Sequence, residues 1–234
     1  MPAGIRIRNQ DNLIVIDDTF FNFVFISKHT ITFSTGNSSG LWTGGSSPSA
    51  VLSIAGLDAP IAAARGTKGW VLAASGRVGG NWVFHFSGGL ATSTATVGDT
   101  IEVFVFDRPK VLAGAGFGLR VFDSTGKQTF DSNQRYMRTV DVRSFSTGLP
   151  AMQSVSGNIA QVALKSAWAK STSPVTPTTG FWLHRAGFTR SVTGGYYCEL
   201  LNYAEGSYSP SVSPPFDVSE SMNTTIMCVD VSGY

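Results

Sequence analysis

Apolar and polar residues alternate along most of this 234-residue chain, and that two-residue period limits what it can fold into. Successive side chains of a strand point to opposite faces, so the pattern sets one face on a core and the other toward water. IRIR at 5–8 and LIVI at 13–16 flank the polar run Asn9–Asn12 and predict a β-hairpin. TFFNFVFIS (19–27), HTITFST (29–35), KGWVLAAS (68–75), GNWVFHFS (80–87) and DTIEVFVFDR (99–108) predict further strands. So do RYMRTVDVRSF (135–145), TGFWLHRAGFTRS (179–191), GGYYCELLNYAE (194–205) and NTTIMCVDVSG (223–233). NIAQVALKSAWAK (158–170) fits neither period cleanly and is read as strand rather than helix. A Gly/Ser-rich loop occupies 36–49, and prolines at 174, 177, 210, 214 and 215 sit in Ser/Thr-rich connectors. The expected class is all-β: antiparallel β-sandwich modules with long Gly/Ser/Pro-rich loops.

One short phrase is written twice. GIRIRNQDNLIVIDD (4–18) and GLRVFDSTGKQTFDS (118–132) share Gly4/Gly118, Arg6/Arg120 and Asp17/Asp131 at one separation, 118 minus 4, or 114 residues. Asp123-Ser124-Thr125-Gly126 is a four-residue turn in which Asp bonds its own backbone and Gly accepts positive φ. Asn12 holds the Gly126 place in the first copy, and Asn tolerates that conformation next best. Ile5, Ile7 and Ile16 stand where Leu119, Val121 and Phe130 stand later, so the apolar face persists. Arg6 and Arg120 are expected on the opposite face. Pro109 and AGAGFG (113–118) interrupt the pattern and suggest modules at 1–112 and 113–234, either separate or packed as one domain.

These phrases, together with IEVFVFDRP from Ile101 and GFGLRVFDSTGKQTFDS from Gly116, resemble small tail-tip proteins of long-tailed bacteriophages. The resemblance spans about the first 145 residues. The first copy departs from it at Arg8, where an apolar residue is usual, and at Asn12. What it implies is a non-enzymatic structural role in the tail tip or baseplate, beside other tail proteins and in several copies. The implied location is the virion tail, with assembly in the host cytoplasm; no catalytic residues carry over.

Charge narrows the partners. Charged residues make up 14% against roughly 25% in ordinary soluble domains, and a thinly charged surface suits a covered subunit. The net charge of +2 with no basic run beyond a pair argues against nucleic acid. The first ten residues lack an export-signal pattern, and the most apolar window, 51–64, is interrupted by Asp58 and Pro60 and too short to span a bilayer. Cys198 and Cys228 are expected as reduced, buried thiols, with a single disulfide stapling the last strands as the alternative.

Chemistry is scarce. GNSSG at 36–40 matches a nucleophile elbow in letters, but LWTGGSSPS after it cannot start the required helix. GAGFG at 114–118 is one residue short of a dinucleotide fingerprint and precedes a strand. His29, His85 and His184 lie apart with no partner at ligand spacing, so no metal site is expected; His85 suits a half-exposed strand position. No catalytic set and no cofactor are predicted. The candidate contact residues are aromatic: Trp42 in the loop, and Trp182, His184, Tyr196 and Tyr197 in the crowded stretch 181–203. They are read as core, as an interface to neighbouring proteins, or as a platform for a host receptor or glycan. That last option supplies the alternative function, a receptor- or glycan-binding β-sandwich on the same particle.

Overall fold

The computed structural model describes the backbone except at 1–5, 9–13, 18–21, 36–38, 42–46, 90, 111–116, 147–150, 166–167, 177–178, 209–218 and 222. Side chains are also left undescribed at 6–8, 14–17, 146, 151–152, 165, 168–187, 200–208, 219–221 and 223. Among the described residues there is no helix, and the chain is all-β with antiparallel sheets. In the first half the strands are β1 (Arg6–Arg8), β2 (Ile14–Asp17), β3 (Val24–Thr32), β4 (Ser49–Ala55) and β5 (Ile61–Arg65), then β6 (Val71–Val78), β7 (Asn81–Ser87) and β8 (Thr100–Asp107). The second half begins with β9 (Arg120–Phe122), β10 (Gln128–Asp131), β11 (Arg138–Ser146), β12 (Ala151–Ser154) and β13 (Ile159–Lys165). It ends with β14 (Trp168–Thr176), β15 (Thr179–Val192), β16 (Gly195–Tyr208), β17 (Ser219–Ser221) and β18 (Asn223–Asp230).

The central element is a six-stranded sheet in the order β11-β18-β13-β5-β8-β3. One face of its first-half strands packs on the three-stranded sheet β4-β7-β6, joining Ala62, Ala64, Ile101, Val103 and Val105 to Ala50, Leu52, Phe84 and Phe86. On the second-half strands, Ile159, Ile226 and Cys228 meet Tyr196 of the five-stranded sheet β12-β16-β15-β14-β17. The two covering sheets are joined by a Trp70–Thr189 bridge, with paired backbone bonds of 2.9 Å, and by Ser191 N–H donating to Gly66 O at 2.7 Å. The opposite face of the central sheet carries Phe104, Phe106, Ala160, Val162, Met227 and Val229, all buried.

The phrase repeated in the sequence is repeated in the fold. Arg6 faces Asp17, Ile7 faces Ile16 and Arg8 faces Ile14 in the first hairpin. Arg120 faces Asp131, Val121 faces Phe130 and Phe122 faces Gln128 in the second, each position 114 residues later and with the irregularity at the same step. β3 and β11 follow at the same separation, nine residues each. Val24 faces Asp107 and Arg138 faces Asp230, and both strands bulge at their third residue, Ile26 and Val140. The hairpins β6-β7 and β15-β16 turn at glycines with positive φ, Gly80 (90°) and Gly194 (78°), again 114 apart. Thus β3-β8-β5 and β11-β18-β13 are the same triplet, and they meet antiparallel at β5 and β13, where Ala64 faces Gln161. The chain is a duplicated unit folded about a pseudo-two-fold axis. Strands from either side of residue 112 therefore share one sheet.

Several local outcomes differ from the sequence reading, among them Pro174, expected in a connector, which lies in β14 opposite Gly180. The window 51–64 holds most of β4 and all but the last residue of β5. β5 is central, with Ala62, Ala63 and Ala64 all buried, so no alternation could mark it. TFFNFVFIS and HTITFST supply one strand, β3, with a bulge, rather than two. His85 is fully buried instead of half-exposed. Leu41 lies on the Cβ side of Gly76, which faces Val83 in the register.

Candidate functional site

The second hairpin has the most fully specified geometry of any surface feature among the described residues. Its turn is closed by Asp123, whose Oδ1 accepts from Thr125 N–H at 2.8 Å, Thr125 Oγ1–H at 2.6 Å and Lys127 N–H at 2.9 Å. Gly126 takes φ 80°, a conformation costly for any residue with a Cβ. Hydrogen bonds from Thr125 hold the Asp123 carboxyl below its ordinary pKa.

At the hairpin's base sits Asp131, fully buried. Its carboxylate accepts from Asn133 N–H at 2.9 Å, Asn133 Nδ2 at 3.1 Å and Arg120 Nε at 3.1 Å. The Asn133 backbone bond leads the effects that lower its pKa; burial opposes, and Arg120 adds to the lowering. Tyr136 stacks on Phe130 with ring centroids 4.9 Å apart, and its hydroxyl donates to Asp131 O at 2.9 Å. Arg120 is thus tied into the hairpin, not a free surface arginine. The identical Arg/Asp spacing in both copies of the phrase was the sequence signal for this pair.

The hairpin leans on the GLDAP loop between β4 and β5. Lys127 Nζ and Arg108 Nη1 each lie 3.2 Å from Asp58 Oδ2. The Asp58 carboxyl is held below its ordinary pKa, chiefly by its bond to Lys127. The loop is fixed by buried Asp107, which accepts from Asp58 N–H and Ala59 N–H, both at 2.8 Å. Arg77 donates to Leu57 O and Asp58 O at 3.1 Å, and Trp82 Nε1 donates to Asp58 O at 3.2 Å. Behind the hairpin's exit loop, an open cavity of about 350 Å³ is lined by Val24, Phe25, Ile26, Lys110, Asn133, Gln134 and Arg135. Phe117 is fully exposed, and Leu119 and Phe122 are exposed by 43% and 45%. Three apolar side chains at and just before the hairpin therefore stand in water, as a contact surface would have them.

The aromatic candidates fall differently. Trp42 lies outside the described residues. Trp182 and His184 are on β15, where they face Gly206 and Ala204, and their side chains are also outside the described residues. Tyr196 is fully buried against Ile159, Ile226 and Cys228, and burial raises its phenol pKa. Tyr197 is half-buried beneath Arg190, whose guanidinium carbon is 4.8 Å from the ring centroid. Tyr196 faces Ser191, nine residues along β15 from Trp182, so the two ends of the group stand about 30 Å apart along the strand. They do not converge.

Cys198 and Cys228 are free and buried, and burial pushes each thiol up to about 11. No group of three His, Cys, Asp or Glu that could hold a metal occurs among the described residues. No helix there is long and apolar enough to cross a membrane. Comparison with family models, with curated proteins and with solved structures finds no match.

Proposed function

We propose that this chain is a non-enzymatic structural subunit of the tail tip or baseplate of a long-tailed bacteriophage, assembling with other tail proteins near the host-facing end. The doubled hairpin phrase and the IEVFVFDRP strand between its copies support the phage attribution through their resemblance to tail-tip proteins. The observation that carries an assembly role is the second hairpin. Its base is locked by Asp131 and its turn by Asp123, yet it holds Phe117, Leu119 and Phe122 in water. Exposed apolar side chains on a rigid support spare a neighbour that covers them the cost of ordering the backbone.

Two measurements test this. Antibody raised against the chain, applied to phage particles recovered from cells that express it, should label one end of the tail. Absence of label from every particle would reject the virion role. The double variant F117S/F122S should fold normally but no longer co-purify with tail proteins; unchanged co-purification would remove the hairpin from the interface.

A further inference from the structure

The six-stranded sheet ends in two strands, β3 and β11, that no described strand pairs on the outside. An open edge is a template for another strand. The duplication makes these two edges equivalent positions, so their sequences can be compared as alternative answers to one problem. In the middle of β3 stands Lys28, at the place where β11 has Val142. Two copies of β3 paired antiparallel about this position would set Lys28 against Lys28. β3 also takes a short bridge at Val24 from Tyr136. This edge is guarded.

The other edge has the opposite character. Val142 is 54% exposed and Val140 47%. On either side of Val142 stand Asp141 and Arg143, on one face of the strand and joined at 2.7 Å. A strand reading Asp-Val-Arg is its own antiparallel complement. With Val142 opposite Val142, each Asp141 falls opposite the partner's Arg143, and directly opposed residues share a face. The existing ion pair would become a ring of four alternating charges. On the other face the row Val162–Met227–Val142 would run on into its own copy.

We propose that β11 is a homodimer edge: two copies of this chain pair antiparallel about Val142 and extend the central sheet across a two-fold axis. Such a contact is isologous and closes on itself, whereas β11 pairing with β3 would build an open fibre. The inference goes beyond the tail-protein reading and does not depend on it.

Sedimentation of the purified full chain tests it. The expected species has twice the 24.8 kDa of one chain and dissociates on dilution. Val142→Lys puts like charges at the centre and should give a monomer that melts like the unsubstituted chain diluted until it dissociates, since the position is exposed. Arg143→Glu opposes Glu to Asp141 and should weaken the dimer at least tenfold. Val142→Cys supplies a readout independent of Val142→Lys folding. Under mild oxidant the two introduced thiols, one from each copy, should cross-link into a band of twice the mass. That band should be absent for the unsubstituted chain, whose own cysteines are buried. A monomer at tens of micromolar, a dimer that Val142→Lys leaves intact, no cross-link from Val142→Cys, or open-ended polymers would each overturn the proposal.

Discussion

His85 is fully buried in β7 with no partner for either ring nitrogen among the described residues, and burial lowers its pKa below 6.5. The unfolded chain binds a proton there first as pH falls. Its contribution to stability is therefore complete above about 6.5 and is lost as pH drops toward the lowered value. The urea midpoint should fall between pH 7 and pH 5, and in His85→Leu that slope should disappear. A midpoint unchanged over this range in the natural chain would contradict the burial argument. Cys198 and Cys228 behave as the sequence suggests, but for a tertiary reason: each is enclosed, and its thiolate is disfavoured. Both should react with a disulfide reagent only at the rate of unfolding. Prompt labelling of either thiol at pH 8 would show that the layers open locally.

Hairpins are legible in the residue order because turn chemistry is local. Asp123 and Gly126 do what their residue types predict, and the polar run between IRIR and LIVI joins paired strands. Gly126→Ala should cost about 1 kcal/mol, since alanine in that left-handed turn conformation meets its own backbone. Asp131→Ala should cost about 2–3 kcal/mol by leaving Asn133 and Arg120 without their buried acceptor. Both are read from shifts of the denaturation midpoint at constant slope. What could not be read at this scale was β5. A strand buried on both faces shows no alternation, and its run of alanines has weak strand preference.

The halves of the molecule share β5–β13 pairing, the Trp70–Thr189 bridge and the Ser191–Gly66 bond. The chain should therefore melt as one cooperative unit by calorimetry, and two resolved transitions would show that the halves unfold separately. Acid should weaken the whole. Asp58, Asp99, Glu102, Asp123, Asp131 and Asp230 all have lowered pKa values. Their stabilisation is full above the ordinary carboxylate range and is lost as pH falls through the lowered values, a window below that of His85. The duplication was legible in its first fifteen residues and then vanished. Loop 33–48 between β3 and β4 has no counterpart of its length between β11 and β12, and β14 intervenes between β13 and β15. Those unequal connections shift the alignment out and back, while β8 and β18 share only their final Asp107 and Asp230.

By itself the sequence determined what depends on near neighbours: the strand period, the hairpin pairing of the repeated phrase and the Asp123–Gly126 turn. These follow from backbone sterics and side-chain reach within a few residues. Only the tertiary structure decided that the two copies of the unit share one sheet, that Tyr196 belongs to the core, and that His85 is enclosed. It also decided which strands end the sheet among the described residues, and so set Lys28 and Val142 at its two equivalent edges. Burial and edge position depend on what packs from far along the chain, and residue order carries that only through the fold.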